Sequence, residues 1–404
     1  MPRYSMLGFT SPDLKRQPFP VLNGLRTTAP LYRFETPNGK HAWMVTRYDD
    51  VLAIIKDPRI VKDIRRVLPP ESAGGYASGS DALRMLRFQM LSSDPPDHTR
   101  LRRLVSKVFT PRMIEQLRPR IQQITDELLD QVQAQGQMDL ISDFAFPLPI
   151  TVICEMLGVP AEDRQKFRVW SNAFLDRSGL LQANSEELPE LGDFVRYLQA
   201  LIKEKRERPD DRLVSQLVRV EEAGDTLSEQ ELISMIFLLL VAGHETTVNL
   251  IGNGVFELLQ HQDQWRKLQA NPELVGTAVE EILRYTSPVM VGTARWASED
   301  IEMHGTVIAK GDMVWISLLG ANTDPERFSA PEELDITREE NEHLAFGKGI
   351  HYCLGAPLAR LEGQIALATL ARRLPDLHLR VQPEELRWRP GLLLHGLQGL
   401  PVAF

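Results

Sequence analysis

Residues 346–355 read Phe-Gly-Lys-Gly-Ile-His-Tyr-Cys-Leu-Gly and contain Cys353, one of only two cysteines in 404 residues. An amphipathic, helix-like run from Leu354 to Arg373 follows directly. This pairing constrains the chain more than any other feature. Gly347, Gly349 and Gly355 let the backbone approach a flat ligand and adopt positive φ. A thiol placed at a helix N-terminus has a lowered pKa, because that end of a helix favours negative charge. A lone cysteine is ordinarily a small buried hydrophobe, but packing alone gives no reason for three neighbouring glycines, a phenylalanine at 346 and a histidine at 351. It cannot build a structural zinc site, which takes about four protein ligands. It can be the single axial ligand of a haem iron.

The rest of the composition narrows the classes. Length alone suggests two or three domains, yet no Gly/Ser- or Pro-rich linker divides the chain, so residues 1–404 are read as one domain. A formal net charge of −9 and the absence of a long basic run argue against nucleic-acid binding. Two cysteines, Cys154 and Cys353, make no disulfide framework and point to a reducing cytoplasm. The first ten residues lack the apolar core of a signal peptide. The longest apolar stretch, Met235 to Gly243, is about half a membrane span, so no membrane anchor is expected.

Most of the chain carries helical periodicity, with a strand-rich region early on. Residues 30–46 alternate around Asn38-Gly39, a hairpin signal. Residues 66–93 are rich in Pro, Gly and Ser and read as a long loop of the kind usually kept for function. Pro111 opens one helix, with Met113, Ile114, Leu117, Ile121, Ile124 and Leu128 on its apolar side. Residues 161–208 read as two helices joined by a polar stretch around Gln182 to Pro189. Ser228, with Glu231 three residues later, starts a long helix that runs to about Leu259. After Pro288 the pattern changes to short strands at 306–309, 313–317, near 380 and within 393–404.

Inside the long helix lies Ala242-Gly-His-Glu-Thr-Thr247. A mid-helix Gly costs about 1 kcal/mol against Ala and asks for a reason. Thr246 can bond back to the Ala242 carbonyl and open the helix. The small Ala-Gly pair then leaves room for a diatomic ligand and a water, and Glu245 and Thr246 could relay protons there. His244-Glu245 begins a zinc-protease pattern, but Val248 stands where the second His must be. Gly252 and Gly254 lack the third glycine and preceding strand of a dinucleotide site and are read as packing positions. Glu281 and Arg284 stand at i, i+3, ordinarily a surface ion pair of little worth.

Together these strings resemble the cytochrome P-450 family, the haem-thiolate monooxygenases. The loop matches the family's Phe-Gly-x-Gly-x-His/Arg-x-Cys-x-Gly at every fixed position. The 242–247 string is similar to its oxygen-activation motif, and Glu281/Arg284 to its Glu-x-x-Arg motif. The resemblance covers roughly residues 30–404 and implies a mainly α fold with a small β region. It places the haem between the long central helix and the Cys-loop helix, with haem b as cofactor. It makes Cys353 the metal ligand and Phe346, Gly347, Gly355 and Ala242 part of the cofactor cradle. His98, Arg102, Arg295 and His351 become cations for the haem propionates, which are costly to bury unpaired. Glu281, Arg284 and Arg327 become a buried structural network.

The activity implied is insertion of one atom of O2 into a hydrophobic substrate, by hydroxylation or epoxidation, with Glu245 and Thr246 as catalytic proton carriers. A chain of this length without an anchor resembles a bacterial-type member, and segments such as Ala356-Pro-Leu-Ala-Arg-Leu-Glu-Gly363 resemble bacterial enzymes that often oxidise polyketides, macrolides, steroids or fatty acids. No flavin or nicotinamide fingerprint is present, so a separate ferredoxin or flavodoxin-type donor with its reductase is implied. Arg100, Arg103, Lys107, Arg112 and Lys348 are its candidate dock, and a monomer is expected. The substrate pocket is assigned to the 66–93 loop, Leu238, Leu239, Val289 to Gly292 and Leu392 to Leu394, with Leu393 foremost in the last group. The alternative is a haem-binding sensing or recruiting module without turnover; the intact Glu245-Thr246 pair argues against it.

Overall fold

A computed structural model describes all residues except 1–10, 36–40, 69–81, 83–84, 87–88, 165, 168, 171–188 and 223. Its axis is the helix Glu229–Gln260, about 48 Å long at 1.5 Å per residue. Its N-terminus closes as a capping box. The Glu231 N–H donates to Ser228 Oγ at 3.3 Å, and the Ser228 N–H donates to a Glu231 carboxylate oxygen at 2.8 Å. Most of the helix is buried on all faces, as an apolar helix at the centre of a large core should be. Around it pack Pro147–Leu157, Pro189–Glu207, Val275–Thr286 and Ala356–Arg373. Gly254 admits one of these contacts and Gly252 a further one with the segment Ile141–Ala145: a Cβ there would come within 3.1 Å of Ile282 and 2.5 Å of Ile141.

The β portion is a five-stranded sheet in the order Leu31–Glu35, His41–Val45, Met313–Ile316, Arg295–Ala297, Ile60–Val61. The first two strands pair antiparallel from Leu31↔Val45 to Glu35↔His41. The Asn38-Gly39 turn expected between them lies outside the described residues. Met313–Ile316 runs parallel to His41–Val45 and antiparallel to Arg295–Ala297, so one sheet joins chain segments some 270 residues apart. A smaller sheet sets Pro401–Ala403 between His378–Leu379 and Gln137–Asp139.

One local expectation changes, and two fall partly outside the described residues. The helix expected to start at Pro111 is two, Pro111–Gln116 and Arg118–Gln133, meeting at Leu117. Pro119 lacks an N–H and sits in the first turn of the second helix, where that loss costs nothing. The apolar face survives the break, with Ile114, Ile121 and Ile124 buried. Much of the 66–93 loop lies outside the described residues. Its ends form 3₁₀ turns at Ile64–Arg66 and Met90–Ser92. The Gln182 part of the polar stretch is likewise outside, while Pro189–Glu207 is helical.

Candidate active site

The Cys loop is held by its own backbone. Cys353 N–H donates to the Phe346 carbonyl at 2.9 Å, and Gly347 N–H to Leu344 at 2.8 Å. Gly347 and Gly349 take φ of 68° and 69°, the left-handed region that favours glycine. Gly355 does not need it: its φ is −81°, and it caps the helix Ala356–Arg373. Cys353 is exposed, although protein surrounds it closely. Burial pushes its thiol above the ordinary value, against the Gly355 and Ala356 N–H groups, Arg102 and Arg360. The lowered pKa expected from the helix terminus is therefore not the net result, because burial outweighs those donors. Arg360 stacks over the Phe346 ring at 4.5 Å and pairs with Glu280 at 2.7 Å. Cys154 is fully buried, with its thiol pushed up to about 12 by that burial, and is a packing residue.

In the central helix, Ala242 is exposed and Gly243 and Thr246 are half-buried, while Val241, His244, Glu245 and Thr247 are buried. An exposed Ala in mid-core means that one turn of this helix faces open interior space. The Thr246 hydroxyl donates to the Ala242 carbonyl at 2.9 Å. The expected opening is not present, since the helix is continuous through residues 242–247. Glu245 points elsewhere: Arg389 Nη1 donates to its Oε2 at 2.8 Å, and His244 Nε2 lies 3.4 Å from its Oε1. Arg389 is absent from the sequence reading. It comes from the C-terminal segment, 144 residues away, and nothing local marks it.

The expected propionate cations gather at one place. The His98 and His351 rings lie 4.3 Å apart. Arg102 and Arg295 are half-buried, and Arg295 Nη1 donates to the Thr293 carbonyl at 2.8 Å. A fifth cation, Lys62, was missed. It is buried, and its ammonium donates to the Thr293 carbonyl at 3.1 Å and to the Thr293 hydroxyl. Burial, then Lys62, His98, Arg295 and Arg102, push His351 down to about 2. Burial and Arg295 push Lys62 well below its ordinary value, and burial lowers Arg295 to about 10. The nearby carboxylate is Asp94, and it already accepts the backbone N–H groups of Lys62 and Asp63. Both ring nitrogens of His98 are buried without a partner. Five basic groups facing one carboxylate, beside an accessible thiol and a small-residue turn, fit a flat apolar group that carries two carboxylates.

One member of the structural network is corrected. Arg284 and Glu281 are fully buried and joined by two bonds of 2.8 and 2.7 Å. The third member is Arg338, whose Nε lies 3.2 Å from both Glu281 oxygens. Arg327 instead faces solvent, pairs with Glu342 at 2.6 Å and lies over the Tyr48 ring. The segment after Phe328 turns back and delivers Arg338, while Arg327 is held outward by the Asp324 turn. Arg284 also donates to the carbonyls of Asn322, Pro331 and Glu333. Asn322 in turn accepts the Leu344 N–H at 2.6 Å, so the network fixes the start of the Cys loop.

The assigned pocket walls divide. Val289 and Leu394 form a β-bridge, and Met290 N–H donates to the Leu393 carbonyl at 2.8 Å, bringing these segments together. Leu238, Val289, Leu393 and Leu394 are half-buried, whereas Leu239 is buried. Leu392 is fully buried in a core cluster with Met290 and Val291.

An accessible thiol, an acid–alcohol helix turn and a cluster of five basic side chains fit a haem-thiolate site. The Cytochrome P450 family model matches residues 39–395, and the chain belongs to that family, whose members are oxygenases. It is 52% identical over 369 residues to Cytochrome P450 CYP107DY1 of Priestia megaterium, covering 90% of each chain. It is 47% identical to the polyketide biosynthesis cytochrome P450 PksS of Bacillus subtilis, over 97% of this chain and 96% of that one. The PksS structure superposes with a TM-score of 0.90 over 98% of both chains. P450BioI, solved with an acyl carrier protein carrying hexadec-9Z-enoic acid, superposes at 0.87 with 41% identity, over 98% of this chain and 100% of that one.

Proposed function

We propose that this monooxygenase is a single domain that holds haem b through Cys353 and oxidises a hydrophobic, polyketide- or fatty-acyl-like substrate. The observation that carries this reading is the accessible Cys353 thiol set among the basic side chains Lys62, His98, Arg102, Arg295 and His351, with Asp94 the acid beside them. Cys353 would be the axial ligand, and those five residues would hold the propionates. When bound, the haem supplies reductive activation of O2 and transfer of one oxygen atom to the substrate.

The chain supplies the rest. The Gly355 and Ala356 N–H groups and Arg102 favour the anionic sulfur. Ala242 and Gly243 leave space at the helix turn, and Thr246 presents a hydroxyl there. Glu245, paired with Arg389, exchanges protons with that turn. Leu238, Val289 and Leu393 give the half-buried apolar wall that receives a lipophilic guest.

Electrons come from a separate ferredoxin or flavodoxin-type protein. Arg103, Lys107, Arg112 and Lys348 are exposed and support docking of an acidic partner. Arg100 leaves this set, because Asp225 and Glu231 neutralise it. The relatives' printed roles in polyketide biosynthesis and acyl-chain binding support the substrate class. A spectral titration with long-chain fatty acids and macrolactones tests it. A Soret shift on displacement of axial water supports the assignment. A flat response to both classes, with a shift for small polar compounds, contradicts it.

A further inference from the structure

Lys15, near the opposite end of the chain, reaches the segment that supplies Arg389 to Glu245. It lies in the short helix Pro12–Arg16 and is fully buried. Its ammonium donates to the Arg389 carbonyl and to the Leu394 carbonyl, each at 2.6 Å. Those two carbonyls bracket the turn 389–394, which also carries the pocket-wall residue Leu393. The Lys15 carbonyl in turn lies 2.8 Å from His395 Nε2. Leu14, beside it, packs in one core cluster with Met290, Val291 and Leu392. Side chain, backbone and neighbour all fasten on the same segment.

This arrangement is costly. A buried ammonium gives up its hydration, and here two neutral carbonyls meet it. Burial, then the Arg389 charge, lower Lys15 to about 8. A methionine of similar length would fill the space without that cost. What the ammonium adds is direction, because two bonds from one nitrogen hold residues 389 and 394 at a set separation. The Arg389 backbone is pinned on its other side too, its N–H donating to the Gly396 carbonyl at 2.8 Å. From that backbone Arg389 Nη1 reaches Glu245 Oε2 at 2.8 Å. At the far end of the turn Leu394 bridges Val289, and the Leu393 carbonyl accepts the Met290 N–H. We infer that Lys15 is a positioning residue for the active site: its ammonium fixes the 389–394 turn, and through it both the Arg389–Glu245 contact and the Leu393 wall. The inference rests on the proposed roles of Glu245 in proton transfer and of Leu393 in substrate binding.

The test uses the full-length holoenzyme, with its concentration set by the reduced CO band so that lost haem does not count as lost function. Myristic acid is the probe, a plant-type ferredoxin with its reductase supplies electrons, and two quantities are read: the Kd from the Soret shift, and product formed per O2 consumed. Lys15→Met should weaken binding several-fold and lower coupling by about tenfold, below the ~10²-fold expected for loss of a positioned acid–base group itself. Arg389→Met should lower coupling without weakening binding. The double variant should couple no worse than the poorer single one, because residues that act through one another are not additive. A purely structural role would lower Tm and haem content while leaving both quantities unchanged per holoenzyme. That result, or additive losses in the double variant, overturns the inference. Lys15→Gln, which keeps two N–H donors on a shorter arm, stands in if Lys15→Met does not hold haem. It should move both quantities in the same direction by less, and wild-type values for both overturn the inference. Unchanged Lys15→Met beside an uncoupled Glu245→Gln removes Lys15 alone. A Glu245→Gln variant that stays coupled, or a wild type without a Soret shift, takes down the underlying reading and this inference with it.

Discussion

Thr246, Arg338 and Arg327 each carry a prediction at the scale of one side chain. Thr246→Ala removes the hydroxyl at the exposed turn and should release more peroxide per O2 consumed, while the reduced CO spectrum stays intact. Equal coupling in the two proteins would take Thr246 out of proton delivery. Arg338→Ala strips a cation from a carboxylate that is fully buried and should destabilise the fold by about 3–5 kcal/mol, the cost of breaking a buried pair. Arg327→Ala, at a solvent-facing pair, should stay within about 0.5 kcal/mol in denaturant unfolding. The reverse ranking would restore Arg327 to the network. The contrast shows what the sequence can carry. Glu281 and Arg284 are one helical turn apart, so their pairing is local and legible. Arg338, Arg389 and Lys62 reach their partners through loop returns and a strand crossover, and no spacing rule encodes those.

Helix packing decides what happens at the scale of an element. Glu362 lies on the helix Ala356–Arg373, is 1% exposed and leaves both carboxylate oxygens without a partner. Burial raises its pKa to about 8, with only Thr247 opposing. In the unfolded chain it titrates near 4.5. Between those values the folded protein binds more protons, so stability falls as pH rises through this window. Glu362→Gln should flatten the fall between about pH 5 and 8, and the difference in Tm between the two proteins should grow with pH. Parallel curves would mean that Glu362 is ionised and paired in the fold. The long helix, its capping box and its glycine contacts could all be read from sequence because they follow local chemistry and periodicity. The split at Leu117 was not, because Pro119 preserves the apolar face across two helices and periodicity alone sees one.

For the whole molecule, the central question is whether the fold is built around a group that the chain must bind. The five-stranded sheet, the Cys loop and the helix Asp97–Val108 bring Lys62, His98, Arg102, Arg295 and His351 together from four parts of the chain. Buried basic groups gathered this way are costly to charge until an anion joins them. Removing haem should therefore lower Tm, with about 4 kcal/mol of stabilisation regained at a thousandfold excess over Kd. A Tm independent of haem would mean that the cation cluster is satisfied by the protein alone. The mainly helical class, and the gathering of His98, Arg102, Arg295 and His351, were legible because motif spacing survives in one dimension. The aim of Glu245 toward Arg389 is a tertiary fact and was not. The most direct measurement is the reduced CO-difference spectrum of the wild type beside Cys353→Ser. The account predicts the red-shifted Soret band of a thiolate-ligated haem in the wild type and its loss in the variant. No such band in haem-loaded wild type, or an unchanged band in Cys353→Ser, would contradict it.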